Sequence, residues 1–297
     1  MIHPYNSQHA RRPSYDGQRR QQRRQILSHS LIYIALILLV LVFVSPLLWD
    51  GVVALKSLSE NAAFPIHLLP LHPEWQNFPR ALTLIDFAHY TSNSLVLAGL
   101  YTVLVTMTSA LVGFGFARLR GPGKQTLFVI MLSTIMLPPI LTVIPTYVIF
   151  SHLGFINTYW PWVFWGLASS PFQSFLFRQF FSGIPQELEE AALLDGCNYW
   201  RIFWQIFLPL SRPVIATAAI LSFNFVWGDF FAPAIFLNQD TTTLAIAMSN
   251  GYVDPNGNLL TNVLAAGTVF YVLPVLVLFF LAQRSFIRGI AATGLKG

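Results

Sequence analysis

The stretch that decides the fold is residues 125–177, QTLFVIMLSTIMLPPILTVIPTYVIFSHLGFINTYWPWVFWGLASSPFQSFLF, in which no Asp, Glu, Lys or Arg occurs. A bilayer core about 30 Å thick is crossed by roughly 20 helical residues, and a charge inside it is costly. These 53 residues are therefore long enough for two membrane-spanning helices. The Gly- and Asn-containing segment 152–158 is predicted to form the turn between them.

The composition of the whole chain agrees with a lipid environment. Of 297 residues, 55% are hydrophobic and only 10% are charged, whereas soluble proteins carry about 25% charged residues. The mean hydropathy is +0.58. This composition excludes an ordinary cytosolic enzyme and a disordered protein. The single cysteine, Cys197, excludes a module held together by internal disulfides.

Charge-free windows predict six transmembrane helices, and hence an all-α polytopic membrane protein. The six predicted spans are about 31–49, 93–117, 126–150, 159–176, 213–237 and 262–282. They form a transmembrane domain, 31–297, preceded by a basic tail, 1–30, whose Arg, Gln, Ser and Pro content predicts no fixed structure. A secretory signal is the alternative for the N-terminus, but the apolar run exceeds the ~7–15 residues of a signal core.

The basic residues predict the orientation of the spans. Fifteen of the 17 Lys and Arg residues fall on one side, and only Lys56 and Arg80 fall on the other. Positive charge is retained in the cytoplasm, so both termini and the loop 178–212 are predicted to be cytoplasmic. This topology accounts for the net charge of +5 without a nucleic-acid partner. The loops 51–91 and 238–261 are predicted to lie outside, where the second could contact a soluble partner.

The predicted cytoplasmic loop reads as two short helices. Pro185 is favoured at a helix start, and Glu187, Glu189 and Glu190 complement the positive end of the helix dipole. Gly196 can stop the first helix in a left-handed conformation, and Asn198 can cap a second one at about 199–207. Such a helix pair at the membrane surface is suited to being bound by another protein.

The same loop carries a family resemblance. The run Glu190–Ala191–Ala192–Leu193–Leu194–Asp195–Gly196, followed by Leu208–Pro209, resembles the EAA loop of permease subunits in bacterial ABC importers. Several short sequence segments, each a weaker signal by itself, resemble the maltose-type carbohydrate permeases over most of the chain beyond Leu31. They lie at 93–95, 116–120, 153–159, 177–181 and 295–297.

The resemblance implies a type I ABC importer permease fold and a mechanism. The EAA loop would seat in a groove of a cytoplasmic ATPase and transmit its ATP-driven closure to the spans. Glu190 would pair with a basic residue of that groove, Ala191 and Ala192 would permit close approach, and Gly196 would make the turn. Asp195, Leu208 and Pro209 belong to the same motif, although a solvated helix start with an ordinary glycine cap is the alternative.

The resemblance also implies partners and a location. These are a second permease subunit, two ATPase subunits that bind ATP and Mg²⁺, an extracytoplasmic solute-binding protein, a sugar or small oligosaccharide, and the lipid of a bacterial plasma membrane. The chain itself is expected to be no enzyme and to hold no cofactor or metal. It has no P-loop of the form G-x-x-x-x-G-K-[ST], so the energy must come from a partner.

Three residues well within span five are candidates for the translocation path: Asn224, Trp227 and Asp229. An intramembrane carboxylate is a functional hypothesis by default, and aromatic faces suit a sugar. The alternative is that Asp229 caps or bonds a neighbouring helix and that the aromatic residues only pack. Related permeases often have Trp–Asn–Asp where this chain has Trp227–Gly228–Asp229, so no side-chain role transfers to position 228.

Two patterns concern helix packing. Ser109, Gly113 and Ala117 recur every four residues in span two and predict a close helix crossing. Pro138, Pro139 and Pro145 predict a bend in span three, either beside the conduction path or with packing consequences only.

Other functions fit less well. An intramembrane enzyme would need a second catalytic group beside Asp229, and none of the seven histidines falls well inside a span. A secondary, ion-coupled transporter would require more intramembrane charge, and a membrane scaffold would have no use for the EAA-like loop. The sequence therefore predicts an importer permease subunit.

Overall fold

The structure is a computed structural model that describes residues 15–294, with side-chain surroundings for 29–283 apart from Pro139. The described chain is helical, with one isolated antiparallel bridge between Val253 and Leu259. Its α-helices are α1 (Tyr15–Ala54), α2 (Leu58–Asn61), α3 (Asn77–Thr83), α4 (Phe87–Arg118), α5 (Lys124–Ser133), α6 (Pro139–His152), α7 (Trp160–Leu167), α8 (Pro171–Ser182), α9 (Gln186–Leu194), α10 (Tyr199–Ile202), α11 (Leu208–Leu210), α12 (Arg212–Trp227), α13 (Phe231–Phe236), α14 (Leu244–Gly251) and α15 (Thr261–Gly294).

The first helix begins earlier than the sequence predicts. Residues 15–30, predicted to lack fixed structure, continue the first span as part of α1. Arg and Gln have good helix propensity, and adding residues to an existing helix avoids the cost of nucleation. The rest of the predicted tail, 1–14, lies outside the described residues. Helix α1 packs against α15, while side chains 31–43 are exposed.

Three of the six predicted spans are continuous helices and three are broken. The segments His29–Ala54, Phe87–Arg118 and Thr261–Gln283 are each long and apolar enough to cross a membrane. Two bent pairs raise the number of possible spans to five, and the count of six stays a prediction. Span four is divided between α7 and α8 at residues 168–170, and span five between α12 and α13 at 228–230.

Span three shows the bend that its prolines predict. The segments Lys124–Met136 and Ile140–His152 meet at 102°. The break lies at Leu137–Pro138, and Pro139 then occupies the start of α6, where its missing N–H is harmless. Pro145 lies within α6 and does not end it.

Helix α4 is the centre of the fold and packs against α7, α8 and α12. The predicted close crossing is confirmed at its small residues. A Cβ added to Gly113 would lie 2.6 Å from Phe177 Cβ, so glycine is required where α4 meets α8. The hydroxyl of Ser109 accepts the Ser170 N–H at 2.9 Å, and the Thr108 hydroxyl donates to the Gly166 carbonyl at 2.8 Å.

Two hydrophobic cores lie at opposite ends of α4. The first core joins the start of α4 to α7, α13, α14 and the start of α15, and includes Leu97, Trp162, Trp227, Phe236, Tyr252 and Val263. The second core joins the end of α4 to α8, α9 and the chain that follows it. It consists of Ala110, Phe114, Phe177, Phe181, Ala192, Ile202, Phe203, Phe207 and Ala218.

The predicted outer loop 238–261 is fastened to the start of α4. The Asn93 side-chain amide donates to the carbonyls of Asp240 and Thr242, and the Leu244 N–H donates to the Ser94 hydroxyl at 2.8 Å. Tyr252 donates its hydroxyl to the Ala81 carbonyl at 2.7 Å. Burial raises the pKa of Tyr252 to about 12, so this phenol is a neutral donor at physiological pH.

The α4–α8 crossing predicts that alanine substitution has opposite effects on stability at two glycines of α4, Gly113 and Gly115. Replacing a helical glycine by alanine normally stabilises by about 1 kcal/mol. At Gly113 the added methyl meets Phe177 and the α8 backbone, whereas at Gly115 nothing lies within 4 Å. We expect Gly113→Ala to lower the Tm of the purified protein through a net cost of about 1–3 kcal/mol, and Gly115→Ala to leave it unchanged or raise it.

The measurement is thermal unfolding in one detergent, followed by tryptophan fluorescence. Equal shifts for the two alanine variants would contradict the close crossing.

Candidate functional sites: an exposed loop helix and a cavity between broken helices

The predicted helix pair between α8 and α12 is present. Helix α9 begins at Gln186, with Pro185 in an extended conformation just before it rather than as its first residue. Gly196 has φ of 80°, the left-handed stop that the sequence predicts. The Asn198 side chain accepts the Arg201 N–H at 2.8 Å and caps α10. The second helix is short and passes into a π-helical turn, Phe203–Phe207.

The predicted loop residues divide into an outward and an inward set. Glu190, Ala191 and Asp195 are exposed, together with Leu194, whose side chain is 89% exposed. Ala192 is only 7% exposed because it packs into the second core. Of the two alanines expected to permit close approach by a partner, only Ala191 faces outward. The outward face thus carries the carboxylates of Glu190 and Asp195 beside apolar side chains.

An ion pair fixes the inward face of α9 to the end of α4. Arg118 Nη1 lies 3.4 Å from Glu189 Oε2, and the two side chains are 4% and 12% exposed. The same guanidinium donates to the carbonyls of Phe181, at 2.6 Å, and of Ile184. Its carbon lies 5.0 Å from the centre of the Phe207 ring. Arg118 therefore connects α4, α8 and α9.

Leu208 and Pro209 lie at the bend that leads into span five. They belong to α11, where the segment Tyr199–Leu210 meets Arg212–Trp227 at 80°. Ser211 at the bend is buried, and its hydroxyl donates to the Phe207 carbonyl at 2.6 Å. Leu208 packs on the second core, as does Cys197. The loop thus contacts the membrane-spanning part on both sides of the bend.

A cavity of about 520 Å³ lies between the broken helices. The aromatic residues of its lining come from α4, α7, the end of α12 and the start of α13. Further polar residues come from α6, from the α7–α8 break and from Asp229. Its lining includes Tyr101, Thr146, Trp165, Ser169, Phe225 and Asp229. The lining contains no Lys, Arg or His.

Of the three residues predicted to line a translocation path, one lines the cavity and two do not. Asp229 lines the cavity, and its Oδ1 also accepts the N–H groups of Phe231, at 2.9 Å, and Ala232, at 3.3 Å. The capping alternative is therefore observed, and the role of Asp229 in a translocation path stays a prediction. Trp227 is 2% exposed, stacks on Tyr271 and does not line the cavity. Asn224 is exposed and is likewise absent from the lining.

Two residues that hold α9 in place, Arg118 and Glu189, were not predicted from the sequence as site residues. For Glu189 a signal was present: positions 187, 190, 191 and 194 recur at helical spacing and form one face, which places 189 and 192 on the other. For Arg118 no local signal existed, because its partners are more than 40 residues away in the chain.

The ion pair distinguishes two neighbouring glutamates. Removing one partner of a buried ion pair leaves an uncompensated charge, at a cost of about 3–5 kcal/mol. We therefore expect Glu189→Gln to lower the Tm and to increase proteolytic cleavage in 178–212. Glu190→Gln, at an exposed position of the same helix, should do neither.

Thermal unfolding and limited trypsin digestion of both variants provide the measurement. A Glu189→Gln protein that behaved like the Glu190→Gln control would show that the pair does not hold α9 in place.

The chain is similar to known proteins in sequence and in fold. The family model described as "Binding-protein-dependent transport system inner membrane component" matches residues 106–291. The chain is 33% identical over 281 residues to the Probable ABC transporter permease protein YurM of Bacillus subtilis (strain 168), covering 93% of this chain and 91% of that one.

Two further similarities concern a second relative and a fold. The chain is 29% identical to the Maltodextrin transport system permease protein MdxG of the same strain, covering 92% of this chain and 98% of that one. Its fold is similar to a chain of a bacterial ABC transporter involved in the import of the acidic polysaccharide alginate. The TM-score is 0.72 at 22% identity, and the match covers 89% of this chain and 98% of that chain.

Proposed function

The chain belongs to the binding-protein-dependent transport system inner membrane components, and on that premise we propose that it forms half of the pathway by which an ATP-driven importer moves a sugar or oligosaccharide. Membership of this family sets aside the secondary transporter and the scaffold. The substrate class is supported by the relatives, which include permeases named for maltodextrin and for diacetylchitobiose uptake.

Coupling to a cytoplasmic ATPase is assigned to α9. The observation that carries this assignment is the division of the helix into two faces. Glu190, Ala191 and Leu194 face outward, while Glu189 and Ala192 are held against the rest of the chain. A helix fixed along one face and exposed along the other can receive a push from a partner and transmit it to α4 and α8.

The remaining parts of the complex follow from this assignment. Two ATPase subunits bind ATP and Mg²⁺, a second permease subunit completes the pathway, and a solute-binding protein delivers the sugar from outside. The chain crosses the bacterial plasma membrane with both termini in the cytoplasm, which places α9 on the side of the ATPases. The loop around α14, fastened to the start of α4, then faces the binding protein.

The experiment is to reconstitute the complex and to measure ATP hydrolysis with the binding protein loaded in turn with maltotriose, raffinose, N,N′-diacetylchitobiose or trigalacturonate. A neutral oligosaccharide is expected to stimulate hydrolysis. Glu190→Arg should reduce both stimulation and transport at least tenfold, because it reverses the charge at the docking face.

Gln179→Arg, at an exposed position of α8, is the matched control and should leave activity intact. A Glu190→Arg complex with unaltered ATPase docking and transport would refute the coupling role of α9.

A further inference from the structure

A narrow apolar slot lies between the end of α4 and the second helix of the loop that contains α9. Its volume is about 180 Å³. The lining residues are Leu111, Phe114, Gly115, Leu119, Tyr199, Trp200 and Phe203. None of these side chains is charged, so the slot suits an apolar occupant.

Gly115 leaves the slot open on its α4 side. A Cβ added at Gly115 would meet no atom within 4 Å, whereas a Cβ at Gly113 would lie 2.6 Å from Phe177 Cβ. Helix α4 is therefore tightly packed where it meets α8 and leaves space where it borders the slot.

The shape of the slot favours a flexible chain over a helix. Leu111 and Leu119 are eight residues apart, so the slot follows α4 for about 12 Å, close to the ~15 Å apolar thickness of one leaflet. A helix with its side chains is about 10–12 Å wide and cannot enter a slot of 180 Å³. An acyl chain that lies parallel to α4 can enter it.

The slot continues an exposed apolar stripe along α4. Side chains at helical spacing form this stripe, and each is between 36% and 62% exposed: Val96, Leu100, Val103, Met107 and Leu111. Because α4 is long and apolar enough to cross a membrane, the stripe lies within the bilayer. The slot at the end of α4 therefore opens at the level of the lipid headgroups.

Exposed aromatic side chains border the slot at this level. Trp200 and Trp204 are 59% and 43% exposed, and their ring centres lie 5.9 Å apart. Tyr199 is also exposed. Trp and Tyr are enriched at membrane–water interfaces, where the ring contacts acyl chains and the N–H or O–H group stays hydrated. These rings are suited to the interface between lipid chains and headgroups.

A cation is fixed at the mouth of the slot. The Lys124 ammonium donates to the carbonyl of Leu119, a lining residue, at 2.7 Å. Arg120 follows Leu119 directly and is exposed. Basic side chains beside an apolar site at a membrane surface attract anionic headgroups.

The chain segments that form the slot carry no negative charge. Residues 87–133 and 196–207 contain no Asp or Glu. On the preceding helix α9, Glu189 is paired with Arg118, and Glu190 belongs to the outward face. The charge at the mouth of the slot is therefore positive.

We propose that this slot binds an anionic phospholipid of the cytoplasmic leaflet, with an acyl chain along Leu111 and Gly115 and the phosphate beside Lys124 and Arg120. The bound lipid braces the second loop helix against α4. The proposal goes beyond the proposed function and shares with it only the orientation of the chain, in which the end of α4 lies at the cytoplasmic face.

The first test uses photoreactive lipids in nanodiscs that contain the reconstituted complex. One probe is a phosphatidylglycerol with a diazirine in an acyl chain, and the other is a phosphatidylcholine with the same chain. Mass spectrometry locates the labelled peptides. The phosphatidylglycerol probe should label 111–119 and 199–203 at least about fivefold more than the phosphatidylcholine probe, because each cation near a membrane surface attracts anionic lipid to about this extent.

A pair of glycine variants tests the slot itself. Gly115→Leu should fill it and reduce the labelling by phosphatidylglycerol about tenfold. Gly99→Leu is the matched control, since it lies in the same helix, an added Cβ there meets nothing within 4 Å, and it does not line the slot. Equal labelling of the two variants would overturn the site.

The charge of Lys124 is tested separately. Lys124→Gln keeps a donor for the Leu119 carbonyl but removes the cation, so it should lower the preference for phosphatidylglycerol about fivefold without changing the labelling by phosphatidylcholine. Lys124→Arg should retain the preference. A preference unaffected by Lys124→Gln would overturn the position of the headgroup.

Other occupants of the slot give different results. Labelling of the isolated full-length chain but not of the complex would show that another subunit covers the slot. Competition by glycerol phosphate, which is the headgroup without acyl chains, would show a phosphate site that needs no lipid. Either result would overturn the proposal.

The outcomes separate this proposal from the proposed function. Stimulation of ATP hydrolysis by a loaded binding protein, with no labelling of the slot by either probe, would refute the lipid site and leave the importer assignment standing. Labelling as described, with no stimulation by any loaded binding protein, would refute the proposed function and leave the lipid site standing.

Discussion

The Arg118 guanidinium connects parts of the chain that are otherwise separate. Arg118 is the last residue of the central helix α4. Its guanidinium pairs with Glu189 of α9, donates to the carbonyls of Phe181 and Ile184, and lies over the Phe207 ring. The Phe207 ring belongs to the second core, together with Phe114 and Phe181. The position of the loop helix relative to the membrane-spanning helices therefore depends on a single buried cation.

A buried ion pair is better suited to fixing geometry than to adding stability. Replacing both partners by apolar residues is often neutral, because the charges no longer need to be desolvated, whereas removing one partner is costly. The ion pair thus raises the free energy of any arrangement in which α9 moves away from α4, so the two helices are expected to move together. For a helix that is proposed to transmit force, this is the useful property. Ala192 adds an apolar contact on the same face.

The broken spans illustrate a second constraint. Continuous helices satisfy their own backbone hydrogen bonds, so α1, α4 and α15 need only apolar side chains to cross a membrane. The breaks at Pro138, 168–170 and 228–230 interrupt the helices and gather around one cavity. The carboxylate of Asp229 caps α13 and lines the cavity at the same time.

The sequence by itself determined the helical membrane class, the bend at Pro138, the close crossing at Gly113 and the left-handed stop at Gly196. Each depends on local chemistry: the absence of charge, a missing N–H, a missing Cβ, or a permitted φ. Only the tertiary structure decided that Glu189 and Ala192 face inward, that Trp227 is packed away from the cavity while Tyr101 lines it, and that spans four and five are broken. These outcomes depend on partners far apart in the chain, and packing against them overrides what hydropathy alone predicts.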